Sequence, residues 1–239
     1  MSAFIPAIGV FFLPGIHKTR FRGLLNFSGA YLFAVTVTHL IPELFHEGEN
    51  PRLLGVFILF GFFFQMILEY FSSGVEHGHM HLHNHGEGEQ LHLPSSLIIS
   101  ISIHAFLEGT LLTHPSEFHA EEDVSTLLFG LMLHKIPEAI ALSAVLLAVM
   151  KNRTIAIVLL TFFSLASPVG LVLAHHLHHA NILGEGWIYF LFAVVAGNFL
   201  YIATTIFFET SPDHRFKANK LIISFLGAGA AVLAEYLLS

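Results

Sequence analysis

"LHKIPEAIAL", residues Leu133 to Leu142, lies inside an apolar run that extends from about Leu127 to Val149. A run of this length is long enough to cross about 30 Å of hydrocarbon as an α-helix. The histidine, lysine and glutamate in its middle are costly to remove from water, so we expect them to have partners on other helices. The stretch therefore predicts a membrane-spanning helix that carries a polar site.

The composition of the whole chain points to the same class of protein. Hydrophobic residues make up 54% of the 239 residues and charged residues only 11%, which is typical of a polytopic membrane protein. We predict an all-α fold, a single transmembrane domain over residues 1–239, with eight spans and kinks in the fourth and fifth. Seven runs of spanning length cover residues 23–45, 53–73, 95–113, 124–150, 154–175, 186–208 and 220–238. The shorter segment 3–16 is expected to be an incomplete or kinked first span.

The distribution of basic residues predicts the orientation of these spans. Arg52 stands alone on one face of the membrane, and Lys135 lies within the fifth span. Because cytoplasmic loops are enriched in Lys and Arg, the basic face should be cytoplasmic and both termini should lie outside. The compact chain favours a bacterial cytoplasmic membrane. The residues on the basic face are Lys18, Arg20, Arg22, Lys151, Arg153, Arg215, Lys217 and Lys220.

The loop at residues 74–94 is rich in histidine, glycine and glutamate and has no apolar period. It is expected to be flexible and cytoplasmic. Several imidazoles and carboxylates at high local concentration can collect divalent ions without a fixed geometry, although a polar linker would have the same composition. Its histidines are His77, His79, His81, His83, His85 and His92.

Two of the spans carry the same pair of polar residues at the same spacing. "SIHAFLEGTLL" contains His104 and Glu108, and "LHKIPEAIALS" contains His134 and Glu138. Residues four apart lie on one face of a helix, so the two spans together can supply two imidazoles and two carboxylates. That ligand set suits Zn(II), Fe(II), Mn(II), Co(II) or Ni(II). Pro137 removes a backbone donor beside the pair and should open the helix there.

Composition also excludes several classes of function. The chain has no cysteine, so disulfides, thiolate metal sites and cysteine nucleophiles are excluded. A net charge of −7 argues against a nucleic-acid partner, because phosphate binding needs a clustered excess of Lys and Arg. The remaining partners that the sequence predicts are the lipid bilayer and a divalent metal ion.

The histidine clusters raise an enzymatic alternative. "HHLHH" at residues 175–179 and "HMHLH" at residues 79–83 have spacings found in membrane-bound di-iron hydroxylases and desaturases. The predicted topology places the two clusters on opposite faces of the bilayer, so they should not share one centre. A metal sensor without transport is a weaker alternative. The outer cluster, His175, His176, His178 and His179, fits either an ion-gathering surface or a polar helix end.

Several motifs together resemble one known family. "HAFLEG" and "HKIPEA" look like the paired metal motifs of the ZIP (Zrt/Irt-like) divalent metal transporters. "THLIPE", "SLASPVG" and "GNFLYIATTIFFE" are similar to the remaining segments of that family, in the same order. The resemblance covers nearly the whole chain from Phe21 onward. It implies a transporter rather than an enzyme, with no organic cofactor and with the possibility of a homodimer.

The resemblance also implies roles for individual residues. Zn(II), or Fe(II), Mn(II), Co(II) or Cd(II), would pass towards the cytoplasm through a mid-membrane site, while spans one, four, five and six move against the others. The implied site is made of His104, Glu108, His134 and Glu138. His39 and Glu43 would line the pathway, and Glu209 would lie near the cytoplasmic exit. The outer His175 is added to the pathway from the predicted topology and not from the resemblance.

Three positions depart from the two-metal pattern of the family. Members with two metals have an Asn, an Asp and a Glu where this chain has Ala105, Lys135 and Ser167. All three additional ligands are absent, and an ammonium replaces one of them. We therefore expect one transported ion per site.

Overall fold

The computed structural model describes residues 18–72, 95–113, 121–150, 152–180, 186–209 and 218–238, and the regular elements in those ranges are all helical. This confirms the prediction of an all-helical fold. The helices are α1 (Lys18–Val35), α2 (Ile41–Glu47), α3 (Pro51–Ser72), α4 (Ser95–Thr110), α5 (Glu121–Val149), α6 (Arg153–His179), α7 (Trp187–Glu209) and α8 (Ala218–Leu238). A π-helical turn, Thr36–Leu40, joins α1 to α2.

Six helical stretches in the described ranges are long and apolar enough to cross a membrane. Helix α4 is apolar but has 16 residues, which corresponds to a rise of about 24 Å. The predicted first span, residues 3–16, and the histidine-rich loop, residues 74–94, lie outside the described residues. The count of eight spans stays a prediction. The six stretches are Arg20–Glu47, Pro51–Ser72, Leu127–Val149, Arg153–His179, Trp187–Phe207 and Ala218–Leu237.

The π-helical turn was not predicted from the sequence, and its cause lies just after it. Pro42 has no backbone N–H and its ring crowds the preceding turn, so a regular α-helical ladder cannot continue through it. The N–H of Ile41 instead donates to the carbonyl of Thr36, five residues earlier. Such single π-helical turns change the direction of the side chains that follow.

Helices α4 and α6 pack closely through glycine. A Cβ on Gly109 would clash with the carbonyl of Ser167, and a Cβ on Gly170 would clash with the carbonyl of Phe106. Small residues let two membrane helices approach until their backbones touch. Helices α3 and α7 approach each other in the same way. The glycines of that second pair are Gly61 and Gly197.

Buried apolar side chains hold α4, α5 and α6 together, and Ile101, Leu142 and Phe163 are almost fully enclosed there. Large apolar side chains on α3, α6 and α8 point outward, as expected for helices that face lipid. Phe60 and Phe225 are examples, with 56% and 76% of their surface exposed. The polar residues near the middle of α4 and α5 are therefore enclosed inside an apolar bundle.

Candidate metal centre

Helices α4 and α5 bring two imidazoles and a carboxylate together in the interior. His104 Nε2 lies 3.1 Å from Glu108 Oε1, and His134 Nε2 lies 3.7 Å from the same oxygen. One ligand atom from each of the three residues lies within 4.8 Å of the others, and all three side chains are buried. Two ligands about 2.0–2.1 Å from one ion at tetrahedral angles would lie about 3.4 Å apart, so these separations suit a single ion.

Glu138, the fourth predicted ligand, borders this group and also contacts a cation. Its Oε1 lies 3.9 Å from His104 Nε2, and its Oε2 accepts a hydrogen bond of 2.7 Å from Lys135 Nζ. Lys135 forms an ion pair with Glu108 as well. The four residues that the sequence singled out by spacing are thus adjacent, with Lys135 between the two carboxylates.

The ammonium of Lys135 is held from three sides in the interior. Besides Glu108 and Glu138, it lies over the ring of Phe163 on α6, 5.1 Å from the ring centroid. A cation over an aromatic face is stabilised by the ring quadrupole. With neutral imidazoles, the two carboxylates and the ammonium leave one net negative charge. An enclosed site of that charge attracts one divalent cation far more strongly than a second.

The other two positions that depart from the two-metal pattern lie where α4 meets α6. The hydroxyl of Ser167 donates to the carbonyl of Ala105 at 2.7 Å. This hydrogen bond of the hydroxyl proton therefore connects α6 to α4. Ala105 is buried and has no side-chain ligand atom.

Gln65 on α3 is a polar neighbour that the sequence analysis did not identify. It is fully buried, and its Oε1 lies 3.1 Å from Nδ1 of His104. The amide oxygen can only accept, so the contact requires a proton on Nδ1 and leaves the lone pair of Nε2 facing the carboxylates. The available signal was a lone amide in the apolar run "FFFQMIL".

A second polar cluster lies where α2 meets α8. His39 Nε2 is 3.4 Å from Glu43 Oε2, and its Nδ1 is 3.8 Å from Glu235 Oε1. The hydroxyl of Thr38 is 2.8 Å from the other oxygen of Glu235. The sequence predicted His39 and Glu43 as a pair, but it missed Glu235, which comes from the far end of the chain.

The remaining predicted residues are distributed elsewhere. His175 is exposed near the C-terminal end of α6. Glu209 is the last residue of α7, and its side chain lies outside the described part of the structure. The six histidines of the loop also fall outside it. Within the described ranges, the buried group at His104, Glu108 and His134 is the one set of three or more potential ligands whose ligand atoms all lie within 4.8 Å of one another.

Comparisons with known proteins agree with this picture. Residues 94–235 match the sequence profile described as ZIP Zinc transporter. Protein zntD of Dictyostelium discoideum is 32% identical over 148 residues, which is 59% of this chain and 21% of that protein. The chain therefore spans about a fifth of the length of that curated relative. The match over residues 94–235 includes α4 and α5, the two helices that carry the buried group.

Proposed function

Because the chain belongs to the ZIP family of zinc transporters, as the match over residues 94–235 shows, we propose that it carries a divalent transition-metal ion into the cytoplasm. The ion would pass through a mid-membrane site formed by His104, Glu108, His134 and Glu138. Zn(II) is the first candidate, with Fe(II), Mn(II), Co(II) and Cd(II) as further substrates, since a site of imidazoles and carboxylates accepts all of them.

The observation that carries this proposal is the convergence of buried ligand atoms between α4 and α5. Three ligand atoms lie within 4.8 Å of one another, and the side chains that carry them are buried. Buried ionisable groups in a membrane are costly unless they are paired, and such groups commonly mark an ion pathway. A bound cation would offset the cost of burying the carboxylates.

We propose that the site takes one ion at a time. Lys135 contacts Glu108 and Glu138, the two carboxylates that a second metal would need to share. At an effective dielectric constant of about 20, a dication about 4 Å from an ammonium is repelled by about 8 kcal/mol. Ala105 and Ser167 offer no compensating carboxylate or amide oxygen from their side chains.

The proposal extends to the pathway on either side of the centre. His39, Glu43 and His175 would receive the ion at one end, and Glu209 would lie near the exit at the other. Histidines of the loop at residues 74–94 would bind it on the cytoplasmic side. The whole chain would act as one transport domain.

The topology proposed for this domain has eight spans, with residues 3–16 as the first and both termini outside. It is supported by Arg20, Arg153 and Lys220, which lie near the beginnings of α1, α6 and α8. If successive spans alternate in direction, the N-terminal ends of these three helices lie on the same side of the membrane. That side should be cytoplasmic, because cytoplasmic loops are enriched in Lys and Arg. Arg52, at the start of α3, falls on the other side. We place the protein in a bacterial cytoplasmic membrane as a homodimer.

Uptake of competing metals into proteoliposomes tests the function directly. We expect Zn(II) uptake by the unsubstituted chain and its loss in Glu138→Ala. The control is Glu47→Ala, which removes an exposed glutamate at the end of α2. Normal uptake by Glu138→Ala would show that the central assignment is wrong.

The enzymatic alternative, a di-iron hydroxylase or desaturase, is not favoured. Members of the ZIP family are transporters and not enzymes. A metal sensor would bind Zn(II) without moving it, so binding without uptake in the same proteoliposomes would favour that function over transport.

A further inference from the structure

The last two turns of α6 carry four histidines that the buried centre does not use. The rings of His175 and His179 have their centroids 4.2 Å apart. The adjacent pairs, His175 with His176 and His178 with His179, are wider, at 6.0 Å. Positions four apart stack on the same face of a helix, so His175 and His179 form the close pair.

We propose that His175 and His179 together chelate one divalent transition-metal ion, at a site separate from the buried centre. Imidazole nitrogen is a good ligand for Zn(II), Co(II), Ni(II) and Cu(II). A Zn–N bond is about 2.0–2.1 Å long, so both rings can reach one ion by rotating about their side-chain bonds, without movement of the helix. Water would fill the remaining coordination positions.

The position of the pair on the helix also favours a cation. The C-terminal end of an α-helix carries partial negative charge, which stabilises positive charge in the last turn. Here α6 ends at His179, and the N–H of Ala180 closes the helix on the carbonyl of His176. A dication bound across His175 and His179 would lie in this negative end and would link its last two turns.

Exposure distinguishes this site from the buried one. His175 and His179 are both exposed, whereas His104 and His134 have no exposed surface. An ion with two protein ligands and several waters exchanges readily. The pair is therefore suited to capturing an ion temporarily and not to holding it.

The location suggests how the pair would serve transport, and this step rests on the proposed function. The ends of α2, α6 and α8 share one side of the bundle if successive spans alternate in direction. That side also carries the cluster of His39, Glu43 and Glu235. The histidine pair would then raise the local concentration of metal at the end from which the proposed pathway begins.

The test is Zn(II) protection of individual histidines against diethyl pyrocarbonate, which modifies a free imidazole nitrogen and is blocked by a bound metal. The full chain is labelled in detergent with and without Zn(II), and each histidine is quantified by mass spectrometry. We expect protection of His175 and His179 but not of His176 and His178. His179→Ala should weaken the Zn(II) affinity reported by His175 about a hundredfold, because the second ligand of a chelate binds intramolecularly.

Two further variants provide matched controls. The double variant His176→Ala with His178→Ala removes the two neighbouring histidines and keeps the pair, so it should leave the protection of His175 and His179 intact. Glu138→Ala should also leave it intact, so a failure of the transport proposal would not affect this result. Equal protection of all four histidines, or full protection of His175 in His179→Ala, would overturn the proposal.

Discussion

Gln65 Oε1 lies 3.1 Å from Nδ1 of His104, and neither side chain has any exposed surface. The contact connects α3 to α4 and fixes which ring nitrogen of His104 carries the proton. Neighbours of this kind orient metal-binding histidines and keep the lone pair of the other nitrogen directed at the ion. Gln65 is therefore a positioning residue for the proposed metal centre and need not touch the ion itself.

The first prediction concerns this contact. Gln65→Leu removes the acceptor and keeps most of the side-chain volume, so we expect Zn(II) affinity at the buried centre to fall about 10- to 100-fold. The affinity is read from the concentration dependence of uptake. Gln65→Glu retains an acceptor oxygen at the same place and should restore much of the affinity. Equal losses in both variants would mean that α3 tolerates no change there and that orientation of His104 is not the cause.

The second prediction concerns the number of ions. Lys135→Asp replaces the ammonium with a carboxylate between Glu108 and Glu138, and we expect it to recruit a second ion. The measurement is the number of anomalous peaks in crystals soaked with Cd(II), one for the unsubstituted chain and two for the variant. One peak in the variant would show that Ala105 and Ser167 already exclude the second ion.

Lys135→Met is the matched control for that substitution. It removes the charge without adding a ligand, so it should still bind one ion. In the absence of metal it leaves two buried carboxylates without their cation, which is expected to cost about 3–5 kcal/mol in the free energy of unfolding. Two strong Cd(II) peaks near Glu108 and Glu138 in the unsubstituted chain would contradict the whole single-ion interpretation.

The part of the metal centre that could be predicted from the sequence is the part set by spacing along a single helix. The pairs His104 with Glu108 and His134 with Glu138 follow from the helical repeat, because four residues bring a side chain back to the same face. The partner of Lys135 on its own helix, Glu138, could be anticipated in the same way. Gln65 and Phe163 could not, because they come from α3 and α6 and depend on how those helices pack around the site.

In the fold as well, features set by the local sequence were predicted, whereas contacts between residues far apart in the sequence were not. Apolar runs predicted the helices, with ends that differ from the observed ones by a few residues, as for the run 154–175, which extends to His179 in α6. The π-helical turn before Pro42 was missed, although the proline itself signals a break. Glu235 was also missed because its partner His39 lies almost 200 positions away, and no sequence period links them.

The third prediction tests that distant contact. Glu235→Ala removes a carboxylate beside His39 and Glu43, at the end where the proposed pathway begins. We expect uptake to fall at low Zn(II) and to recover at saturating Zn(II), because clustered negative charge raises the local concentration of cations. The readout is a higher KM with nearly unchanged kcat. Glu49→Ala, which removes an exposed carboxylate from the loop after α2, is the control and should change neither value.

The fourth prediction concerns the close approach of α4 and α6, which holds His104 and Glu108 in place. A methyl group on Gly109 would clash with the backbone carbonyl of Ser167, and that carbonyl cannot rotate away as a flexible side chain could. Gly109→Ala should therefore lower the free energy of unfolding in detergent micelles by about 1–3 kcal/mol through overpacking. It should also weaken Zn(II) uptake, because separating the helices displaces Glu108.

Gly229→Ala is the control for this effect. Nothing lies within 4 Å of a Cβ added at Gly229 on α8, so the substitution meets no steric barrier. Alanine favours a helix over glycine by up to about 1 kcal/mol, so this variant should be as stable as the original chain or slightly more stable. If Gly109→Ala proved as stable and as active as Gly229→Ala, the backbone contact with Ser167 could not be what sets the distance between α4 and α6.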